Sequence, residues 1–304
     1  MAISSDIRSL DQVNYATGIH KLLLTAALIF AFIFAFLANF PLEKQIESLV
    51  RAQIAKVPGC RMNFESLHFE LFLPKVVLTD VNLPGSCFGG SKPLKMRQMA
   101  LHFQGPSFAP LGVALKMSME LKGTPLAVKY AAGVNSQVFN IQEENFPIQA
   151  FSEVLGSIPK MEGNVSLNAK VAMGGQQIQE MKVLVESQNM EVLPQTLSDI
   201  KIPRLAIGNL LLKLESEGPR KLMLREFVIG KMDAPIRGKF SGTIDLASGA
   251  VAFSPINIKG EAALSPEFMN AFPILNLMLP QFPQKDGFYQ IKLGGTLGNP
   301  RPQP

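Results

Sequence analysis

An uninterrupted apolar run near the N-terminus, residues 22–40, constrains this chain more than any other feature. It contains no charged residue, and twelve of its nineteen positions are Leu, Ile or Phe. As a helix rising about 1.5 Å per residue it would span about 28 Å, close to the ~30 Å hydrocarbon core of a bilayer. Those twelve side chains favour insertion by about 4–7 kcal/mol in total. We therefore predict one transmembrane helix, with these anchoring side chains: Leu22, Leu28, Phe32, Phe36 and Phe40.

Two other interpretations of this run are weaker. A cleaved signal peptide has a shorter apolar region and a small-x-small cleavage site, whereas this run ends in Leu37-Ala38-Asn39-Phe40-Pro41. A buried globular helix would be apolar on one stripe rather than all round. Basic residues flank the run on both sides, so the positive-inside rule does not set its direction. The short head, residues 1–21, favours a cytoplasmic N-terminus and export of the long remainder.

After the run, the periodicity changes from that of a helix to that of strands. Residues 41–57 carry an apolar stripe of period 3.6, which predicts an amphipathic helix that Pro58-Gly59 ends. From 58 to 304, apolar and polar residues alternate in short segments, as in antiparallel strands with one wetted face. We predict a mainly β domain, an antiparallel sheet with a few short helices. The clearest alternating segments are 113–121, 165–173, 210–214 and 236–246, and the clearest turns are Lys122-Gly123-Thr124-Pro125, Gly174-Gly175, Glu217-Gly218-Pro219 and Ser248-Gly249.

Two helices are expected within the β domain. Asn145 is a candidate N-cap with Pro147 in the first turn, and Ser265-Pro266 is a second start of the same kind. The second helix leads into residues 272–282, which are unusually apolar for a loop. This segment is either a lid packed over one end of the sheet or a contact site for a partner or lipid. The first helix would present one apolar face, formed by Ile148, Phe151, Leu155 and Ile158.

The chain contains two cysteines, Cys60 and Cys87. A hairpin turning at Leu73-Pro74 would place them opposite one another, which permits a disulfide. Closing this loop would stabilise the fold by about 3–4 kcal/mol in the chain-entropy model and would need an oxidising compartment such as a periplasm. Two separate buried thiols are an equally open alternative.

The sequence offers no catalytic constellation. Its three histidines are isolated, no metal-ligand spacing occurs, and the SxxK match at Ser157 is interrupted by Pro159. Glu70 and Asp80 could form an acid–base pair, but a place on a surface hairpin is the simpler interpretation. The net charge of +5 is spread singly, without the aromatic-rich basic cluster of a nucleic-acid site. We therefore expect neither an enzyme nor a cofactor, a metal or a nucleic-acid partner.

Two segments resemble known envelope proteins of Gram-negative bacteria. The hairpin of residues 69–83 (FELFLPKVVLTDVNL), following an anchor and an amphipathic helix, resembles the opening of AsmA-like proteins. Residues 286–300 (DGFYQIKLGGTLGNP) are similar to the closing strand of the type II secretion system protein N family in its deltaproteobacterial form. These resemblances imply an elongated, curved sheet in the periplasm, held to the inner membrane by a single pass, and they carry no site residues.

The resemblances imply two functions. In the first, the chain is a non-enzymatic scaffold or accessory component of the type II protein secretion system, and its partners are secretion-system proteins. In the second, it binds or transfers phospholipid through an apolar β groove. The candidate groove residues are Val113, Leu115, Met117, Met119 and Leu121.

Overall fold

A computed structural model describes residues 23–25, 27–32, 42–56, 60–70, 74–87, 93–121, 123–150, 160–175, 177–197, 200–247, 251–272, 275 and 279–303. The chain divides into two compact units, Met1–Gln53 and Ile54–Pro304. In the first, residues 23–25 and 27–32 are helical. Helix α1, Leu42–Ala55, lies within the amphipathic segment expected at 41–57 and carries an ion pair of 2.7 Å between Arg51 and Glu47, one turn apart.

The predicted membrane anchor lies largely outside the described residues. Leu28 and Phe32 are helical and exposed, at 61% and 74%, whereas Leu22, Phe36 and Phe40 lie outside the described part. Among the helices that the structure describes, none combines the length and the apolar character needed to cross a bilayer.

The second unit is built almost entirely of strands. Helix α2, Pro266–Ala271, interrupts them late in the chain. The strands are β1 Ser66–Glu70, β2 Lys75–Leu83, β3 Leu94–Phe108, β4 Leu111–Leu121, β5 Thr124–Gly133, β6 Ser136–Pro147, β7 Met161–Glu162, β8 Asn164–Gly174, β9 Gln177–Val192, β10 Gln195–Leu197, β11 Ile200–Ile202, β12 Leu205–Ser216, β13 Lys221–Ile229, β14 Ile236–Asp245, β15 Ile256–Leu264, β16 Gln284–Lys285, β17 Phe288–Thr296 and β18 Asn299–Pro302.

Sixteen of these strands form one antiparallel sheet. Its spatial order is β1-β2-β3-β4-β5-β6-β8-β9-β12-β13-β14-β15-β17-β16, with β18 paired to β17 and β7 paired to β9. Strands β10 and β11 form a separate hairpin. Nearly every strand pairs with its neighbour in sequence, as is usual for antiparallel strands joined by short connections. The prediction of a mainly β antiparallel fold with few helices is confirmed.

The first hairpin differs from its predicted register. Glu70 pairs with Lys75, so four residues connect β1 to β2 rather than a turn at Leu73-Pro74, and the strands are shifted by two positions. A shift of two keeps every side chain on the same face, so the apolar pattern could not distinguish the two registers. Cys87 reaches Cys60 from a 3-10 turn, Gly85–Cys87, and the two are joined in a disulfide with a Cα–Cα distance of 4.6 Å.

The prediction that a helix begins at Asn145 is wrong. Strand β6 continues through Pro147, because Phe146 and Pro147 still pair with β8, and Asn145 sits in a bulge with φ 56°. Asparagine tolerates this left-handed conformation better than most residues, which explains its place here without a capping role. Residues 149 and 150 are helical, and Phe151, Leu155 and Ile158 lie outside the described residues.

The second expected helix start is confirmed. The Ser265 side chain caps α2 by accepting a hydrogen bond of 3.2 Å from the Phe268 N–H. In the apolar segment 272–282 that follows, the Leu279 side chain is buried, at 6% exposure, as a lid over the sheet would require. Residues 273–274 and 276–278, and the predicted turn at Ser248-Gly249, lie outside the described residues.

Candidate functional site

The five predicted groove residues all lie on one face of β4. Met117 stands between Leu101 of β3 and Val128 of β5, and Leu115 stands between Phe103 and Tyr130. Their neighbours on both sides are therefore also apolar. The exposed fraction of the β4 side chains on this face rises along the strand, from 4% at Leu121 to 39% at Val113.

This apolar face extends far beyond β4. Following Cα partners from strand to strand through Met117 traces one unbroken row across thirteen strands, in which every residue is apolar or glycine. The row is Phe69, Val76, Leu101, Met117, Val128, Ile141, Ala169, Val183, Leu214, Leu224, Gly242, Ile258 and Leu293. A second row runs beside it through Leu167, Val185, Leu212, Phe227, Phe240, Gly260 and Ile291.

The apolar face is incompletely covered. Most side chains of the thirteen-strand row are partly exposed, and Leu101 reaches 37%. Within the described part of Ile54–Pro304, the elements outside the main sheet are the end of α1, the helical residues 149–150, the six-residue α2, the β10–β11 hairpin and short 3-10 turns. These are too few to form a second layer over thirteen strands. Because a sheet face of this kind is stable only when something covers it, the apolar face is the candidate functional site.

The opposite face is polar in the matching positions. A row of Cα partners that passes through Lys116, the residue next to Met117, crosses eleven strands. Met223 is the single apolar member of this row. The row consists of Lys75, His102, Lys116, Lys129, Asn140, Lys170, Lys182, Glu215, Met223, Thr243 and Asn257. The two faces of the sheet therefore differ sharply in character, as the alternation in the sequence predicts.

Carboxylates neutralise parts of the polar face. Glu180 bonds Lys170 at 2.8 Å and Lys182 at 3.1 Å, and these hydrogen bonds hold the pKa of the Glu180 carboxyl below its ordinary value. Glu226 lies between Lys213 and Lys239 in the same way, and its pKa is lowered for the same reason. Such exposed pairs contribute little stability individually.

The isolated polar residues noted in the sequence stay apart. Glu70 bonds Lys75 at 3.2 Å, while Asp80 lies in β2 with φ 46°. His68 contacts the Ser66 hydroxyl at 3.4 Å, and His102 contacts that of Ser118 at 3.2 Å. Among the described residues, no three His, Cys, Asp or Glu side chains are grouped closely enough to hold a metal ion.

A surface depression of about 480 Å³ opens on the polar side of β2 to β5, and Met119, one of the predicted groove residues, is part of its lining. Its lining includes Lys75, His102, Ser118 and Glu120. The alternation of the sequence carries no signal for this depression, because its residues come from four strands. Only the cross-strand register brings them together.

No family model, curated protein or solved structure matches the chain. A function for it therefore has to follow from its residues and from the chemistry of its sheet.

Proposed function

We propose that this chain is a non-enzymatic component of the type II protein secretion system, anchored in the bacterial inner membrane with its sheet in the periplasm. The resemblance of residues 286–300 to that family supports the proposal. This phrase contains β17 and the first half of β18, which lie together near one end of the sheet order. The elongated, curved sheet that the resemblance implies is part of the same proposal.

Two features support the proposed location. The first is the uncharged run at 22–40, which has the length and composition of a single membrane span. The second is the bond between Cys60 and Cys87, since a structural disulfide persists in an oxidising compartment and is rare in a reducing one. Together they fit an anchored protein whose sheet lies on the exported side.

The observation that carries a binding role is the thirteen-strand apolar row. Burial of apolar surface is worth about 25 cal/mol per Å², so a face of this extent attracts a matching apolar surface strongly. In the proposed role, another component of the secretion apparatus supplies that surface, and the sheet holds it close to the inner membrane. The polar face stays solvated and keeps the sheet from associating through both sides.

The same row favours a second candidate function, the binding or transfer of phospholipid. Side chains that are partly exposed rather than closed into a solid core can line a path for acyl chains. Flexible methionines such as Met117 and Met119 adapt to such chains, although they pack equally well in ordinary cores. This candidate needs no protein partner on the apolar face.

One purification separates the two functions. The full chain, extracted in mild detergent from its own bacterium, is analysed by native mass spectrometry for phospholipid and for bound inner-membrane secretion proteins. The secretion role predicts that the secretion proteins co-purify and are lost in Met117→Asn. The lipid role predicts phospholipid adducts that the same substitution removes.

Ser118→Asn is the matched control, because it adds a similar polar group to the opposite face of β4. It should leave both kinds of complex intact. A wild-type chain that carries neither secretion proteins nor lipid, although folded, would overturn both functions.

A further inference from the structure

The apolar face becomes most exposed at one place, the tip of the β3–β4 hairpin. Along β4 the exposed fraction rises from Val113, at 39%, to Leu111, at 76%. Along β3 it rises from Phe103, at 46%, to Phe108, at 83%. Phe108 pairs with Leu111 across the turn, so the two most exposed apolar residues of this hairpin lie side by side.

A second hairpin adds to this tip. The β5–β6 turn carries Val134, whose side chain is 94% exposed, and Gly133 pairs with Gly112 next to the first turn. Both glycines are needed for the close approach. A Cβ on Gly112 would collide with the Ala132 carbonyl oxygen, and a Cβ on Gly133 would lie 2.7 Å from the Pro110 side chain. We call Phe108, Leu111 and Val134, gathered in this way, the apolar tip.

Exposure on this scale is unusual for a surface that meets only water. Phe108 and Leu111 are cross-strand partners, and Val134 directly follows Gly133 on the neighbouring turn, whereas exposed apolar residues on soluble surfaces are usually scattered singly. Adjacent exposed residues of this size mark an interaction site.

Positive charge lies behind the apolar tip on the polar face. Lys116 of β4 and Lys129 of β5 are direct cross-strand partners, and neither has an acidic partner within the described part of the chain. Like charges placed opposite each other in a sheet are unfavourable. The equivalent pair farther along the row, Lys170 and Lys182, is bridged by Glu180. The charge at Lys116 and Lys129 is thus left available for an external anion.

We propose that the apolar tip inserts into the interface of a phospholipid bilayer containing anionic lipid, and that Lys116 and Lys129 attract the headgroups. Apolar side chains that enter the acyl boundary, together with nearby cations, make up the usual chemistry of interfacial binding. Lys116 lies five residues from Leu111, about 17 Å along the strand. A lysine side chain extends toward headgroups from such a position.

A bilayer suits the apolar tip better than a protein surface does. Specific protein interfaces bury about 1,200–2,000 Å² and need close shape complementarity, which three side chains on two turns do not offer. A bilayer interface has no fixed shape and accepts a small apolar group. This contact is independent of the proposed secretion function and of the predicted anchor.

The absence of tryptophan from the chain allows a direct test. Phe108→Trp places a single tryptophan at the apolar tip of the full chain. Met232→Trp is the control, because Met232 is 84% exposed in the turn between β13 and β14, at the opposite end of the strands. Each variant is reconstituted in bilayers of phosphatidylcholine and phosphatidylglycerol. In one arrangement the doxyl-labelled lipid is in the bilayer that holds the protein. In the other arrangement it is in added protein-free vesicles of the same composition.

The proposal predicts blue-shifted emission from Phe108→Trp and quenching by doxyl lipid in at least one of the two arrangements, with no quenching of Met232→Trp. With Val134→Trp as the reporter, adding Leu111→Ser should weaken membrane partitioning of the tip about tenfold. Lys116→Gln with Lys129→Gln should reduce quenching only in bilayers that contain phosphatidylglycerol.

Three results would overturn the proposal. In the first, Phe108→Trp keeps the emission of a water-exposed tryptophan and is unquenched in both arrangements. In the second, its emission is blue-shifted without quenching, which would mean burial against protein, such as a second copy of the chain. In the third, Met232→Trp is quenched equally, which would mean that the whole domain lies near lipid without tip insertion.

Discussion

Two regions at the same end of the strands differ in the burial of their apolar residues. In the β12–β15 region, Leu222, Ile244 and Ile256 form a buried cluster against which Leu246 and Leu293 pack. In the β3–β6 region, the corresponding end carries the exposed apolar tip. Both regions have the same alternating pattern, so the pattern does not decide which apolar residues are buried.

The connections between strands explain the difference. Residues 246–255 link β14 to β15 and include a 3-10 turn, Val251–Phe253, and the fully buried Ser254. The Ser254 hydroxyl accepts a hydrogen bond of 3.1 Å from the Ala247 N–H, which holds the two ends of this connection together. By contrast, β3 joins β4 through the two residues Ala109-Pro110 alone. A two-residue turn leaves no chain to cover the sheet face beside it.

The largest expected effect lies in the buried cluster. Leu222→Ala should lower the free energy of unfolding by about 3–5 kcal/mol, because it removes buried methyl groups and leaves a cavity. Leu111→Ala at the apolar tip removes the same atoms from an exposed site. It should therefore change the free energy of unfolding by less than about 0.5 kcal/mol. Urea unfolding of both variants in the same detergent measures the difference. Equal losses would mean that the two regions are packed alike.

Near β1, a covalent link adds to the packing of buried residues such as Leu67 and Leu78. Replacing Cys60 and Cys87 together by Ser should lower the free energy of unfolding by about 3.5 kcal/mol, the loop-closure value for a separation of 27 residues. Unfolding of the wild type with and without reductant provides the matched comparison. A double variant as stable as the oxidised wild type would show that this corner does not depend on the disulfide.

The packing of the two hairpin tips is sensitive to a single methyl group. Gly133→Ala should cost about 1–3 kcal/mol, because the new Cβ would meet the Pro110 side chain at 2.7 Å. Thermal unfolding followed by circular dichroism measures the loss. A Gly133→Ala variant without any loss would mean that the tips are not in contact.

The smallest effect concerns the two lysine pairs of the polar face. Glu180→Gln makes the Lys170–Lys182 pair resemble the uncompensated pair at Lys116 and Lys129. Because the folded-state pKa of Glu180 is lowered, its contribution is present above the carboxyl pKa of the unfolded chain and is lost as pH falls through the folded value. The variant should therefore unfold slightly more easily at pH 7, and its difference from wild type should vanish in acid. A difference that grew in acid would have the wrong sign.

The strands were largely predictable because alternation is a local property. The segments around Val113, Val165, Leu210 and Ile236 all became strands, and Ser265 capped its helix, because each depends only on nearby residues. The prediction of a helix start at Asn145 is wrong because the pattern Asn-x-Pro suits both a helix cap and the end of a bulged strand. Only the pairing with β8 decides between them.

The candidate site was predictable only in part. The five groove residues of β4 do share one face, but its continuation across thirteen strands depends on the register of every pair. Register is set by turn length, and the first hairpin shows that a shift of two residues leaves no trace in the apolar pattern. The apolar tip could not be predicted either, because exposure depends on which connections fold back over the sheet.

In both proposed functions, a molecule other than this chain covers the apolar face in the cell. Phe103, on that face and 46% exposed, can be replaced by benzoylphenylalanine with little change in shape, and Lys239, exposed on the polar face in β14, provides the matched position. Ultraviolet irradiation of living cells followed by mass spectrometry of the purified full chain then identifies the attached molecules. We predict adducts of phospholipid or of a secretion-system protein at position 103 and none of these at position 239. Crosslinks from position 103 that join only segments of the chain itself would show a closed core and would contradict the account.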